Sequence, residues 1–254
     1  MIEVAKRASL EAGEITLARR FANHSVKRKG TVDNIATEVD KASEARILKV
    51  LKSEFPNHNY LSEETGGEDN GSDYWWVIDP IDGTGPYFSG MPTFGISIGL
   101  LRNGKPQLGV IYFPALKSIY WSVEGKGAFK NDQPIKVNAK SALRDIMVGY
   151  DLGWMGERAK EVNNLVLPLV DKVRYTPILG CTVAGLSYVA EGVYGGYIHW
   201  AYPWDFAAGA AIIEEAGGKV TNAKGKPINW LADDMLVVAS NGKVHDKILS
   251  LIKT

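Results

Sequence analysis

Tyr74-Trp75-Trp76-Val77-Ile78-Asp79-Pro80-Ile81-Asp82-Gly83-Thr84 is an apolar run that meets two carboxylates and then a Gly-Thr pair. Trp75 to Ile78 read as a buried strand. Pro80 fixes its own φ and biases Asp79 toward an extended conformation, so the strand is expected to stop in a stiff elbow. Two acids held side by side on such an elbow are costly unless a cation sits between them. Gly83 lets the backbone approach a ligand closely, and Thr84 offers a hydroxyl and a helix N-cap. The combination reads as a divalent-metal and phosphate site.

Upstream of the elbow, helices are expected over 2–22 and 37–54. Thr37 would cap the second, where Val39, Ala42, Ala45, Leu48 and Leu51 fall at helical spacing. Residues 59–64 form a short strand running into a polar loop at 65–73. Downstream, strands at 94–101 and 107–113 flank Asn103-Gly104, the preferred dipeptide of a tight hairpin turn. A strand at 118–123 follows. The polar connector 131–144 suggests a division into an N-terminal α+β subdomain, 1–138, and a C-terminal α/β subdomain, 139–254. The second half alternates strands near 146–149, 174–178, 195–200, 219 and 235–239 with helices near 157–170, 182–191, 204–216 and 243–252. A ligand site is expected between the halves.

The chain has 254 residues, with 29 Lys plus Arg against 29 Asp plus Glu. With no net field to attract nucleic acid or an anionic membrane, an anionic ligand needs a local site. A lone cysteine, Cys181, allows no intrachain disulfide. Charges scattered through Met1–Arg20 make that segment an amphipathic helix without the apolar core of a signal peptide. No uncharged apolar stretch of ~18 residues is present. Cytoplasmic placement is expected.

Four more acids bear on the elbow. Glu63 and Glu64 end the strand before the polar loop, and alone would be a solvated pair. Asp205, in Pro203-Trp204-Asp205-Phe206-Ala207-Ala208-Gly209, opens a helix rich in Ala and Ile. Its plainest role is to satisfy the helix dipole. Asp40 alone is a helix N-terminal charge. Together with Asp79 and Asp82, Glu63 and Asp205 would supply the oxygen ligands of a Mg²⁺ phosphoryl-transfer site.

Asp79-Pro-Ile-Asp-Gly-Thr84, Glu63-Glu64 and Trp204-Asp205-x-Ala-Ala-Gly resemble the signature motifs of the inositol monophosphatase family of Mg²⁺-dependent, Li⁺-sensitive sugar phosphatases, which includes fructose-1,6-bisphosphatase-like members. Lys29, Asp33 and Asp40, then Gly125-Lys126-Gly127-Ala128-Phe129 and Glu215-Ala216-Gly217-Gly218, extend the likeness over residues 3–252. The resemblance implies an α/β (α+β) layered αβαβα fold, with an antiparallel N-terminal sheet and a smaller C-terminal α/β half. It implies that Glu63, Asp79 and the Ile81 carbonyl bind a first Mg²⁺, and Asp79, Asp82 and Asp205 a second. Glu63 would help hold a third, looser ion. Thr84 and Asp40 would orient and deprotonate water for in-line attack, and the Gly83 and Thr84 amides would receive phosphate. The implied substrate is a small phosphorylated metabolite and the implied assembly a homodimer.

Two positions depart from the family pattern. Gly85-Pro86-Tyr87-Phe88 replaces the usual residue followed by Asn-Phe or Asn-Tyr. Ile198 stands seven residues before Asp205, where inositol-handling members carry Glu, so a preference for inositol phosphate is not expected. His199, beside it, is a candidate substrate-side residue, as is Thr182 beyond Cys181, which falls where the family has a small residue. Fructose-1,6-bisphosphatase or histidinol-phosphatase specificity, or a low-turnover metal- and phosphate-binding scaffold, are the alternatives. The spacing of Asp79 and Asp82 differs from the Asp-x-Asp of aspartyl-phosphate enzymes. Gly125-Lys-Gly-Ala lacks the third glycine of a dinucleotide fingerprint and reads as a turn. His24, His58 and His245 show no zinc-ligand spacing.

Overall fold

The computed structural model describes residues 1–21, 26–28, 35–153, 156–232 and 234–253. Lys29 and Asp33 of the resemblance, and His24, lie outside them. In chain order, α1 (Ile2–Arg19), the ribbon β1 (Val26–Arg28) and β2 (Ile35–Thr37), and α2 (Glu38–Glu54) come first. Next are β3 (Asn59–Ser62), β4 (Gly66–Glu68), β5 (Tyr74–Asp82) and the short helix α3 (Thr84–Phe88). Strands β6 (Gly95–Arg102), β7 (Lys105–Phe113), β8 (Ser118–Val123), β9 (Ala128–Lys130) and β10 (Gln133–Ile135) complete the first half. The second half holds β11 (Val148–Tyr150), α4 (Arg158–Glu161), α5 (Leu167–Val170), α6 (Thr182–Ala190), β12 (Gly196–Ala201) and α7 (Pro203–Glu215). It ends with β13 (Lys219–Asn222), β14 (Met235–Ser240) and α8 (His245–Leu251).

These elements stack as the expected αβαβα sandwich. The first sheet runs β10-β9-β8-β7-β6-β5-β3-β4 and is antiparallel except where β3 pairs with β5. Alternation along β5 sends Trp76 and Ile78 to one face, where they pack with Ala5, Ala8, Ala12, Ile47 and Leu51 of α1 and α2. Val77 faces the other side, into the core shared with α6 and α7. Beyond those helices lies the second sheet, β11-β12-β14-β13, whose outer face is closed by α5 and α8.

Helix α7 can lie on the first sheet because two glycines face each other beneath it. Gly99 and Gly109 are paired across β6 and β7. A Cβ at Gly109 would stand 2.2 Å from the Ala208 carbonyl oxygen, and one at Gly99 2.9 Å from its amide nitrogen. Phe206, Ile212 and Ile213 are then wholly buried, each contributing about 1.5–3 kcal/mol.

Several local details differ from the sequence reading. The strand does not stop at Asp79: β5 continues to Asp82, with its register against β6 slipping between Asp79↔Ser97 and Asp82↔Gly95. A bulge is where a strand tolerates a proline, which has no N–H for the ladder. The connector 131–144 opens with a β9–β10 hairpin, because Asn131 (φ 46°) and Asp132 (φ 62°) both adopt the left-handed conformation of a tight turn. Residues 174–178 make only isolated bridges, Met147↔Tyr175 and Tyr150↔Ile178. The helix expected over 157–170 widens into a π-turn at Val162–Val166 just before Pro168. Proline cannot donate to the Asn164 carbonyl, which instead accepts the Lys253 N–H at 2.9 Å.

Candidate active site

The bulge turns the end of β5 into a rigid shelf. Asp79 Oδ1 accepts the Ile81 N–H at 2.9 Å, and Ser43 of α2 donates to the Pro80 carbonyl at 2.9 Å. One residue past the end of β3, Glu63 is carried to the same edge, its N–H donating to the Ile78 carbonyl at 3.3 Å. The buried Glu44 carboxylate accepts both the Ser62 hydroxyl and the Glu64 N–H, fixing the turn that follows. Ser43 and Glu44 thus hold the elbow and the Glu63–Glu64 turn from one helix face. Sequence reading missed both, because neither belongs to a motif.

Three carboxylates converge there. Asp79, Asp82 and Asp205 each offer an oxygen, all within 4.8 Å of one another. Asp205 reaches the cluster because Pro203 starts α7 and the Asp205 carboxylate caps it, accepting the Tyr202 N–H at 2.7 Å. Its dipole role and its place in the cluster are therefore both realised. Asp82 is seated on the N-terminus of α6, accepting N–H bonds from Thr182 at 3.1 Å and from Val183.

The electrostatics are adverse. Burial, followed by Glu63, Asp82 and Asp205, pushes the Asp79 carboxyl well above the carboxylate range. Burial also raises Asp205, helped by Asp82 and Glu63. Asp82 is pushed up to about 7 by burial, while the two α6 amides pull it down. Buried like charges of this kind persist when something positive is bound among them.

Gly83, in the left-handed conformation at φ 81°, precedes α3. A Cβ there would lie 3.0 Å from the Thr93 carbonyl oxygen and from Cys181 Cβ. Glycine therefore takes the N-cap position expected of Thr84, which becomes the first helical residue. The Thr84 hydroxyl faces two acceptors, the Ile81 carbonyl at 3.0 Å and the buried Asp40 carboxylate at 3.4 Å.

Above this shelf is a cleft of about 220 Å³. Of the residues expected at the site, Glu63, Asp82, Gly83, Thr84, Thr182, His199 and Asp205 line it, with Asp79 buried beneath. Ile198 does not. Its side chain is wholly buried with Val148, Leu236 and Val238 on the outer face of the second sheet. Strand alternation sends it away from the cleft and His199 toward it, so the specificity argument built on Ile198 loses its footing. Asp151 and Arg158 line the cleft without having been expected, since no motif surrounds either. Asp151 accepts N–H bonds from Leu179, Gly180 and Cys181 at 2.9, 2.6 and 3.1 Å and the Tyr197 hydroxyl at 2.7 Å.

Other candidates prove structural. Glu215 accepts the Gly125 and Gly127 N–H groups, tying the glycine turn to α7. His58 accepts the Trp76 indole N–H, and His245 is buried between the Thr221 and Ser240 hydroxyls. Cys181 is buried.

Comparison with known proteins follows the same lines. A model of the inositol monophosphatase family matches residues 1–254. A fructose-1,6-bisphosphatase/inositol-1-monophosphatase of Aquifex aeolicus is 35% identical, over 99% of this chain and 95% of that protein. The suhB extragenic suppressor protein of Bartonella henselae superposes with a TM-score of 0.93 at 27% identity, covering 100% of this chain and 98% of the other. SaIMPase-II, solved with inositol monophosphate bound, gives 0.82 at 28% identity, over 98% and 92%. The chain belongs to the inositol monophosphatase family.

Proposed function

We propose that this phosphoric monoester hydrolase acts on small sugar or polyol phosphates, inositol monophosphate among them, with Mg²⁺ as cofactor. The observation that carries the reading is the trio Asp79, Asp82 and Asp205 beside Glu63, the first two buried and Asp205 partly so, with no cation among the described groups acting on Asp79. An all-oxygen donor set of this charge suits Mg²⁺. On this reading Glu63, Asp79 and the Ile81 carbonyl hold one ion, and Asp79, Asp82 and Asp205 a second. Glu63 serves a third, looser one. When bound, such ions acidify water and neutralise phosphoryl oxygens.

The chain's own groups do the rest. The Thr84 hydroxyl and Asp40 orient the attacking water, and the Asp40 carboxylate takes its proton. The Gly83 and Thr84 amides receive the phosphate. Thr182, His199 and Asp205 stand on the substrate side. One observation favours a second specificity: Arg158 brings a cation to the cleft, suited to the second phosphate of fructose 1,6-bisphosphate. We assign 1–138 to the subdomain carrying most ligands and 139–254 to the one carrying Asp205. A homodimer and Li⁺ sensitivity rest on the family resemblance. Among the described residues no helix is long and apolar enough to cross a membrane. The single buried thiol supports the cytoplasm.

Phosphate release from inositol 1-phosphate with Mg²⁺ is the test. It is expected to vanish with chelator and in Asp82→Asn. Full activity under both conditions would overturn the assignment. A panel adding fructose 1,6-bisphosphate and histidinol phosphate ranks the specificities.

A further inference from the structure

His199 combines deep burial with an open acceptor. The residue is 9% exposed and lines the cleft. Its Nδ1 lies 2.8 Å from the main-chain carbonyl oxygen of Asp151. A carbonyl oxygen only accepts, so Nδ1 carries the proton. Burial lowers the ring's pKa against the raising effects of Asp151, which keeps the imidazole neutral at pH 7. The Nε2 lone pair is therefore free, and among the described residues no group is hydrogen-bonded to it.

The tautomer is locked from behind. The Asp151 side chain is anchored by three amides and the Tyr197 hydroxyl, so its carbonyl cannot swing away. Tyr197 and Phe206 stand at ring-centroid distances of 6.3 and 6.2 Å from the imidazole. In a residue that lines the cleft, this fixed acceptor needs a donor, which water supplies until a substrate group replaces it. Mg²⁺ does not meet that need, since it prefers the oxygens of the acidic shelf.

We propose that Nε2 of His199 accepts a hydrogen bond from a hydroxyl of the substrate's alcohol moiety, making His199 a specificity-determining residue for polyol over plain aryl or alkyl phosphates. This rests on the phosphatase reading and adds to it the feature recognised in the leaving group. A lone pair at this point also repels the oxygens of an anion. A site built to pair a substrate hydroxyl disfavours analogues that lack it.

The test compares inositol 1-phosphate with phenyl phosphate, whose leaving group has no further hydroxyl. In His199→Phe, kcat/KM for inositol 1-phosphate is expected to fall by ~10–100-fold, while that for phenyl phosphate changes by less than about twofold. His199→Gln, which keeps an acceptor oxygen, is expected to restore most of the loss, and His199→Leu, which has no acceptor, replaces the Phe variant should that one fail to fold. Equal losses on both substrates, or none on either, would overturn the proposal. Independently of turnover, ¹⁵N NMR of the wild-type imidazoles reads the tautomer, with His199→Gln assigning the signal among four histidines. The proton is expected on Nδ1; a proton on Nε2 would overturn the proposal. Absence of wild-type hydrolysis of phenyl phosphate and of inositol 1-phosphate, with the Nδ1 proton in place, would instead count against the phosphatase reading and remove the proposal with it.

Discussion

The acidic floor of the cleft comes from one strand end, one turn and the starts of two helices, whereas the opposite wall gathers Asp151–Gly153, Arg158 and His199–Tyr202. The two are energetically opposite. On the floor, buried carboxylates face one another and are held mainly by backbone amides. On the wall, Asp151 has both oxygens occupied and His199 is neutral. A surface that stores repulsion is suited to binding cations, and a fixed wall with one open acceptor to selecting among substrates. Changes to the floor are expected to destroy turnover, and changes to the wall to redirect it.

The largest effect is expected on the floor. Asp79→Asn is expected to lower kcat by about 10³-fold or more. It also removes one charge from the cluster, so in chelator the variant is expected to melt no lower than wild type. Mg²⁺ at a hundred times its Kd would stabilise wild type by about 2.7 kcal/mol. A variant that kept this Mg²⁺-dependent rise in Tm would show that the floor is not a cation site.

Gly83→Ala tests whether floor geometry, apart from charge, matters. Its backbone sits at φ 81° with carbonyl and thiol neighbours closing on the missing Cβ. A loss of about 2–3 kcal/mol in chemical denaturation is expected, together with impaired turnover. Unchanged stability would mean the elbow is softer than its contacts imply.

Asp151→Asn sharpens the contrast on the wall. Asparagine keeps the shape but has a single acceptor oxygen, so one pair of donors, the Leu179 and Gly180 amides or the Cys181 amide and the Tyr197 hydroxyl, loses its acceptor. A destabilisation of about 1–3 kcal/mol is expected, with the ratio of activities on inositol 1-phosphate and phenyl phosphate shifting more than activity on phenyl phosphate itself. A collapse of both activities to the level of Asp79→Asn would erase the distinction between floor and wall. The smallest effect belongs to Arg158→Ala. There KM for fructose 1,6-bisphosphate is expected to rise by about fivefold, and that for inositol 1-phosphate to stay within about twofold. Equal changes on both would remove Arg158 from anion selection.

Legibility in the sequence followed locality. The Asn103-Gly104 hairpin was readable because both residues accept left-handed φ, and they adopt it at 50° and 73°. The strand 118–123 was readable from its aromatic and β-branched residues, and the helix near 204–216 from its unbroken Ala- and Ile-rich run. The β9–β10 hairpin was not, since its Asn131-Asp132 turn lies in a stretch polar enough to pass for a linker. Ile198 illustrates the opposite failure. Counting back from Asp205 reaches the right strand, but the pleat decides which of Ile198 and His199 enters the cleft.

What the sequence determined by itself is the chemistry of the floor. Asp79, Asp82, Glu63 and Asp205 sit in motifs that resemble those of Mg²⁺-dependent phosphatases, and the paired acids of the Asp79–Asp82 elbow already call for a cation between them. Only the tertiary structure decided the wall. Asp151, just past β11, and Arg158 of α4 are marked by no neighbours, and His199 of β12 is expected only from its place beside Ile198. They share a cleft because paired glycines let α7 settle on the first sheet while α6 docks its amides on Asp82. Such contacts depend on packing across the whole chain, which no local pattern encodes.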